Sequence, residues 1–217
     1  MKHLLLILFA LTFSDVKAQE IETDSMSIDA VFEACVAMQE SLENNDTTAL
    51  IDAAARLKEA KATSFTSLRC KDDTIPSLNG HFVFNKVFVD SLAAGKDAYS
   101  KADDINRSTT HRGQTSDGSI LTKTCFVKAG KSTKYSFASR GRQELGIIAE
   151  PGGRIYVRIH VTNKSGFDAR YNDDKNAKNG TRRFRKAFDL PVNQRNTVEL
   201  EIINKGGKDT SFVVISN

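Results

Sequence analysis

The sequence has none of the short motifs that mark the common enzyme classes. It contains no GxSxG, no HExxH, no P-loop and no dinucleotide-binding glycine pattern. The combination best suited to a nucleophile and its base is Cys125 with His160. We expect Cys125 to be a small buried strand residue, and alternation places His160 on the outward face between Arg158 and Thr162, so we expect a non-catalytic protein. A secreted hydrolase-type enzyme, or its accessory domain, with a Cys or His site is the alternative.

Cysteine is scarce as well. Cys35, Cys70 and Cys125 show no CxxC spacing, which argues against a structural zinc site, and they permit one intramolecular disulfide at most. Cys35 falls on the apolar face of a predicted helix and Cys125 in a predicted strand, where each can serve as a small buried residue. If a disulfide forms, we expect it between Cys35 and Cys70. No cofactor and no resident metal are expected.

Long apolar runs are absent after the first residues. Leu4 to Phe13 is apolar, follows Lys2, and precedes the small residues of Val16-Lys17-Ala18, a pattern typical of a secretory signal peptide. A run of ten residues is half of the roughly 20 that a spanning helix needs. We therefore predict a signal at 1–18, cleavage before Gln19, and no transmembrane segment in the mature chain. The protein is expected in the periplasm or outside the cell, and the alternative is an N-terminal membrane anchor.

Charge is divided unevenly along the chain. Residues 19–110 carry nine Lys and Arg against sixteen Asp and Glu, whereas residues 111–217 carry twenty against ten. Such asymmetry favours two units that attract each other. We predict an acidic helical unit at 19–104, a polar linker at 105–119 and a basic β-sandwich domain at 120–217.

The acidic unit shows helical periodicity in three places. Apolar residues recur at helical spacing from Ile28 to Leu42, and again from Leu50 to Leu57 behind a cap at Asp46 or Thr47. A third helix is predicted from about Asn85 to Asp103, although Gly95 in its middle weakens the pattern.

The sequence of the basic unit predicts a series of strands. Residues 154–162 alternate between apolar and polar side chains, with Ile155, Val157, Ile159 and Val161 on one side, which indicates a strand with one face in a core. Turn signals separate it from further strands without intervening helices. The fold class is therefore predicted as α+β, with about three helices followed by an antiparallel β-sandwich or jelly roll. The predicted strands are 120–128, 133–138, 143–149, 154–162, 167–171, 181–189, 196–204 and 210–216.

Short motifs follow one another through this region: Lys134-Tyr-Ser-Phe, Glu144-Leu-Gly-Ile, Gly153-Arg-Ile-Tyr-Val-Arg-Ile, Phe188-Asp-Leu-Pro, Thr197-Val-Glu-Leu and Thr210-Ser-Phe-Val-Val. Their order resembles that of bacterial pre-peptidase C-terminal domains, jelly-roll modules of secreted proteins. This resemblance covers about 120–217, and the acidic loop that these domains often carry after the middle strand is missing. The resemblance implies an accessory or adhesion-type module and brings no catalytic residue.

Arginine and lysine supply the candidate binding surface. The set comprises Arg154, Arg158, Arg183, Arg185 and Lys186, and planar guanidinium groups suit phosphate, sulfate and carboxylate. For an exported protein the expected partners are an anionic glycan, a lipid headgroup or another envelope protein, and nucleic acid is not expected. The alternative is a solvated strand face whose charges pair with Glu199, Glu201 and the acidic helices.

A polar loop at 171–180 offers two carboxylates and three amide oxygens, the donor types that calcium prefers. Lys175 and Lys178 oppose a divalent cation, and the spacing differs from that of an EF-hand. We therefore expect a hairpin loop here and no metal site.

Overall fold

Two five-stranded sheets and four helices make up the described part of the chain. The structure is a computed structural model that describes residues 28–71, 77–110, 120–173 and 179–217. The predicted signal segment therefore lies outside the described residues. The helices are α1 (Ile28–Glu43), α2 (Thr47–Glu59), α3 (Lys86–Ala93) and α4 (Ala102–Thr110). The strands are β1 (Thr63–Ser64), β2 (Arg69–Cys70), β3 (Leu121–Val127), β4 (Ser132–Ser139), β5 (Arg142–Ala149), β6 (Tyr156–Asn163), β7 (Asp168–Asn172), β8 (Arg183–Asp189), β9 (Asn196–Ile203) and β10 (Thr210–Ser216).

The strands form a jelly roll. Sheet A has the order β1-β3-β10-β5-β8 and sheet B the order β2-β4-β9-β6-β7. Strands β3 to β10 pair antiparallel, and the chain changes sheet at every connection between them except the β6–β7 hairpin, as in two interleaved Greek keys. Each of these eight strands lies within a few residues of its predicted range. The α+β class with a C-terminal sandwich is confirmed.

Alternating side chains fill the space between the two sheets. Val157, Ile159 and Val161 of β6 point inward, as do Leu200 and its neighbours on β9, and all are at most 1% exposed. Burying an aliphatic side chain of this size stabilises a fold by about 1.5–3 kcal/mol. The inward side predicted for the strand at 154–162 is confirmed.

The helices cover the outer side of sheet A. Their apolar faces share one core with outward-pointing residues of this sheet, among them Phe126, Ile148, Val213 and Ile215. Helices α1 and α2 form a hairpin, and Asp46, one of the two predicted caps, accepts a 2.9 Å hydrogen bond from the Ala49 backbone nitrogen at the start of α2. Sheet A is therefore a middle layer, with helices on one side and sheet B on the other.

The prediction of one continuous third helix was wrong. Helix α3 starts behind Asn85, whose side chain caps it, but ends at Ala93 because Gly95 adopts the left-handed φ of +68° that terminates helices. A new helix, α4, begins at Ala102 and includes Ile105, which packs against the helical core. It occupies the first residues of the segment predicted as a linker, and residues 111–119 lie outside the described part.

The helical region also contributes a short strand to each sheet. Strand β1 pairs parallel with β3 in sheet A, and β2 pairs antiparallel with β4 in sheet B. The chain between them crosses the edge of the sandwich and buries Phe65 and Leu68 in the core between the sheets. Hydrogen bonds thus join both regions, and the division at 105–119 stays a prediction.

Candidate functional site

The predicted basic residues are distributed over different parts of the sandwich. Arg183 and Arg185 project from β8 on the outer side of sheet A, and Arg158 projects from β6 on the outer side of sheet B. Arg154 is exposed in the loop before β6. Lys186 points away from its arginine neighbours and lies over a tyrosine ring of β7 at the edge of the sandwich. These five residues do not form one continuous surface.

Helix α1 engages the arginines of β8. Arg183 donates from Nη2 to Glu40 at 2.8 Å and from Nε to the side-chain oxygen of Gln39 at 2.8 Å. Arg185 donates to Asp29 of α1 and to Glu144 of β5. Arg183 and Arg185 are therefore paired with an acidic helix, as the alternative interpretation of the basic residues stated.

Close packing at Gly146 fixes the position of α1. A Cβ atom at Gly146 would lie 2.6 Å from the Cδ2 atom of Phe32, so only glycine allows the aromatic ring to rest on β5 at this distance. The Arg185 guanidinium lies 5.4 Å from the centre of the same ring. Gln39, fully buried, donates a 2.7 Å hydrogen bond to the Ala149 carbonyl. Helix α1 is thus held on sheet A by the packing of Phe32 against Gly146, by a buried hydrogen bond and by ion pairs.

A carboxylate joins the helical region to sheet A at a second point. Glu150 accepts hydrogen bonds from His81 at 2.9 Å, from the Ser211 backbone nitrogen at 2.8 Å and from the Ser211 hydroxyl at 2.9 Å. The Phe82 nitrogen donates to it as well. The hydroxyl of Ser211 bonds to Glu150 and to a backbone carbonyl, not to His81. His81 is therefore not placed as the base of a serine nucleophile, and the cluster is structural.

The proposed Cys–His catalytic pair is not formed. Cys125 points from β3 into the core between the sheets and is 4% exposed, whereas His160 points outward from β6 in the other sheet. Burial raises the pKa of the Cys125 thiol to about 12, which suppresses the thiolate. The predictions that Cys125 is buried and that His160 faces outward are confirmed, so this pair does not support the hydrolase alternative.

The expected Cys35–Cys70 disulfide is also not formed. Cys35 lies fully buried in the core between the helices and sheet A, and burial raises the pKa of its thiol to about 12. Cys70 packs against the other core, between the sheets. The two residues belong to different layers because β2 carries Cys70 across the edge of the sandwich into sheet B.

The outer face of sheet B carries polar side chains on neighbouring strands and has no helix of the described chain packed along it. We call this surface the open face. Its register rows are Lys134-Glu201-Arg158-Asn172, Arg69-Ser136-Glu199-His160-Arg170 and Ala138-Thr197-Thr162-Asp168. Glu201 of β9 thus lies between Lys134 and Arg158, and Glu199 lies between Ser136 and His160. Lys71, directly after β2, extends the first row, since its backbone nitrogen donates to the Lys134 carbonyl.

Ion pairs organise the open face. Lys71 donates to Glu199, and this hydrogen bond holds the pKa of the glutamate below its ordinary value. Arg158 lies 3.3 Å from Glu201. Hydrogen bonds from Arg170, and then from His160, lower the pKa of Asp168. All three carboxylates are therefore engaged by basic side chains, and the face as a whole carries more positive than negative groups.

A shallow groove of about 290 Å³ lies in the middle of the open face. Lys134, Arg158, His160 and Arg170 line it together with the two glutamates of β9. The volume suits one or two small polar groups of a larger ligand, since whole-ligand pockets measure about 300–1,000 Å³. The groove can offer guanidinium and ammonium donors beside carboxylate acceptors.

The sequence identified part of this face. Alternation placed Arg158 outward, and Glu199 and Glu201 were named as possible charge partners of the basic residues. Lys134 was not singled out, although its alternation with Tyr135 would have placed it outward. Its position near the arginines depends on the strand order β4-β9-β6, which alternation does not supply.

Within the described residues, no group of three or more His, Cys, Asp or Glu side chains is arranged to hold a metal ion. The centre of the polar loop at 171–180, residues 174–178, lies outside the described part. No helix of the described chain is long and apolar enough to cross a membrane.

Comparison with solved structures finds several distant likenesses. The Yersinia pseudotuberculosis-derived mitogen has 7% identity and a TM-score of 0.35, and the match covers 45% of this chain and 84% of that one. Salmonella Typhimurium PliG, a periplasmic inhibitor of g-type lysozyme, has 13% identity, a TM-score of 0.30, and coverage of 49% and 93%. TmCBM61, solved with β-1,4-galactotriose, has 8% identity, a TM-score of 0.29, and coverage of 49% and 86%.

TM-scores this low assign neither a family nor a ligand to this chain. No protein-family model matches it, and no curated protein matches it either. The resemblance to pre-peptidase C-terminal domains therefore holds for the jelly-roll strand order, and the family itself is not supported.

Proposed function

We propose that this protein is an exported, non-catalytic binding module that holds an anionic polysaccharide on the open face of sheet B. The observation that carries the proposal is that helices cover the outer side of sheet A but not the outer side of sheet B. The outer side of sheet A is packed under the helices, and its arginines bond to α1. The outer side of sheet B presents its cations around a groove.

The chemistry of the open face favours an anionic ligand. Five permanent cations, Arg69, Lys71, Lys134, Arg158 and Arg170, accompany three carboxylates on the surface. Guanidinium groups recognise carboxylate and sulfate through paired hydrogen bonds, and carboxylates accept hydrogen bonds from sugar hydroxyls. A polysaccharide with acidic groups and free hydroxyls fits both.

The same face is poorly suited to a lipid surface or to a buried protein contact. Membrane insertion and protein hot spots use large apolar or aromatic anchors. The exposed large hydrophobic residues of the described chain are Ile51, Val87, Tyr99 and Val192, and none belongs to a strand of sheet B. A polar ligand that lies across the strands is the better match.

Charge reversal on the open face is the direct test. The double variant Arg158→Glu/Arg170→Glu is expected to bind a sulfated or uronic-acid polysaccharide at least about tenfold more weakly, a loss of about 1.4 kcal/mol. Wild-type chain from Gln19 should elute from an immobilised polysaccharide as the salt concentration rises, because salt screens exposed charges. The measurement is the elution salt concentration, followed by titration calorimetry.

Arg56→Glu on the exposed side of α2 is the matched control, since it changes net charge at a site remote from sheet B. It should leave retention close to that of the wild type. Equal weakening by the control and a single open-face reversal would show that binding follows net charge alone. Unchanged retention of the folded double variant would refute the proposal.

A further inference from the structure

Two cysteines that are distant in sequence line the same cavity. Cys70 ends β2 at the edge of sheet B, and Cys125 lies in β3 of sheet A. Cys125 lies in the core between the sheets and Cys70 packs against that core, and both line an open cavity of about 600 Å³ at the edge of the sandwich, together with residues of α4 such as Asp103 and Asn106. The short crossing from β1 to β2 draws the edges of the two sheets together beside them.

Tyr135 shows how near the two thiols are. It is the register partner of Cys70 in the β2–β4 pair, and its hydroxyl donates a 3.1 Å hydrogen bond to the carbonyl of Phe126, the residue after Cys125. One tyrosine side chain therefore spans from the strand beside Cys70 to the strand of Cys125. Cys70 also lies close enough to oppose the ionisation of Cys125, which adds to the effect of burial on its pKa.

We propose that Cys70 and Cys125 form a disulfide in the mature protein and thereby staple β2 of sheet B to β3 of sheet A. The proposal rests on the export assumed under the proposed function, because disulfides persist in exported compartments. Cys35, enclosed in the other core, is left as a buried thiol. This pairing replaces the Cys35–Cys70 bridge.

The oxidation proceeds by exchange with a disulfide of a thiol oxidoreductase or a small disulfide such as oxidised glutathione. The Cys70 thiolate, at the less buried position, attacks the oxidant and releases one oxidant thiol, leaving a mixed disulfide on Cys70. Cys125, whose burial disfavours the thiolate, loses its proton to water while the chain around it is locally open, attacks the Cys70 sulfur and releases the second oxidant thiol. Two protein thiols become one disulfide, and one oxidant disulfide becomes two thiols.

The staple should matter for stability because it closes residues 70–125 into a covalent loop. Disulfides that close loops of this order usually restrict the unfolded chain substantially. We expect the melting temperature of the oxidised protein to fall by about 10 °C on reduction. The fall should be the same in Cys35→Ser and absent in Cys70→Ser.

Peptide mapping of the full mature chain tests the pairing. The protein from Gln19 is equilibrated with a glutathione redox buffer, trapped with an alkylating reagent after unfolding, digested and analysed by mass spectrometry without reduction. The expected result is a linked pair of peptides containing Cys70 and Cys125, with Cys35 alkylated. Cys125→Ser should abolish the link, and Cys35→Ser should retain it.

A Cys35–Cys70 link, or three alkylated cysteines in a protein that melts cooperatively under oxidising conditions, would overturn the proposal. Polysaccharide retention measured on the same samples separates the two ideas. A protein that forms the disulfide without binding polysaccharide contradicts the proposed ligand alone, and one that binds without forming the disulfide contradicts the staple alone.

Discussion

Gly146→Ala is expected to weaken the attachment of α1 to sheet A and to lower the free energy of unfolding by about 2 kcal/mol, because extra volume in a packed core forces neighbours out of position. The new methyl group would lie 2.6 Å from the Phe32 ring and 3.5 Å from the Cβ atom of Ile215. The ring must move away from β5, and it then loses its contact with Arg185. Thermal melting of the mature chain should show a drop of about 4–8 °C.

Gly207→Ala is the control for this substitution, since a Cβ atom there meets no other atom within 4 Å. It should melt within about 1–2 °C of the wild type, as surface substitutions usually do. The Phe32→Ala background provides a second check, because removing the ring should make Gly146→Ala nearly neutral. Equal costs in both backgrounds would show that Phe32 does not rest on Gly146.

Glu150→Ala is expected to have an effect of similar or larger size, about 3 kcal/mol, because it leaves partly buried donors without an acceptor. The glutamate side chain is 15% exposed and receives hydrogen bonds from His81, Phe82 and Ser211. Glu150→Gln should also destabilise the protein, since its amide turns a donor toward other donors. Denaturant unfolding gives both values.

Glu33→Gln, on the exposed side of α1, is the matched control and should change the free energy of unfolding by less than about 0.5 kcal/mol. A Glu150→Gln protein as stable as Glu33→Gln would contradict the view that this carboxylate joins the helical region to sheet A. His81→Ala should cost less than Glu150→Ala, because it removes one of several donors and leaves the carboxylate its backbone partners.

Local pattern predicted most of the fold. Val157, Ile159 and Val161 alternate with polar residues, and this regularity placed β6 and its buried side correctly because period two belongs to strands alone. The two-residue strands β1 and β2 were beyond such reasoning. They are too short for any period, and the long-range pairing with β3 and β4 creates them.

Alternation could not predict that helices cover the outer side of sheet A while the outer side of sheet B forms the open face. Arg158 and Arg185 both lie in predicted strands beside apolar residues, so both were assigned to the same basic set. The structure places one on the open face and bonds the other to Asp29 of α1. That difference arises from which sheet each strand joins and from the apolar outer residues of sheet A, such as Ile148 and Val213, which require a helical cover.

The central claim is that the outer face of sheet B binds the polysaccharide, whereas the arginines of sheet A are hydrogen-bonded to α1. Chemical-shift mapping of the chain from Gln19 with an anionic polysaccharide tests this claim most directly. Side-chain signals of Arg158, His160 and Arg170 are expected to shift with added polysaccharide, while those of Arg183 and Arg185 stay in place. Shifts confined to Arg183 and Arg185, with those of the open face unchanged, would contradict it.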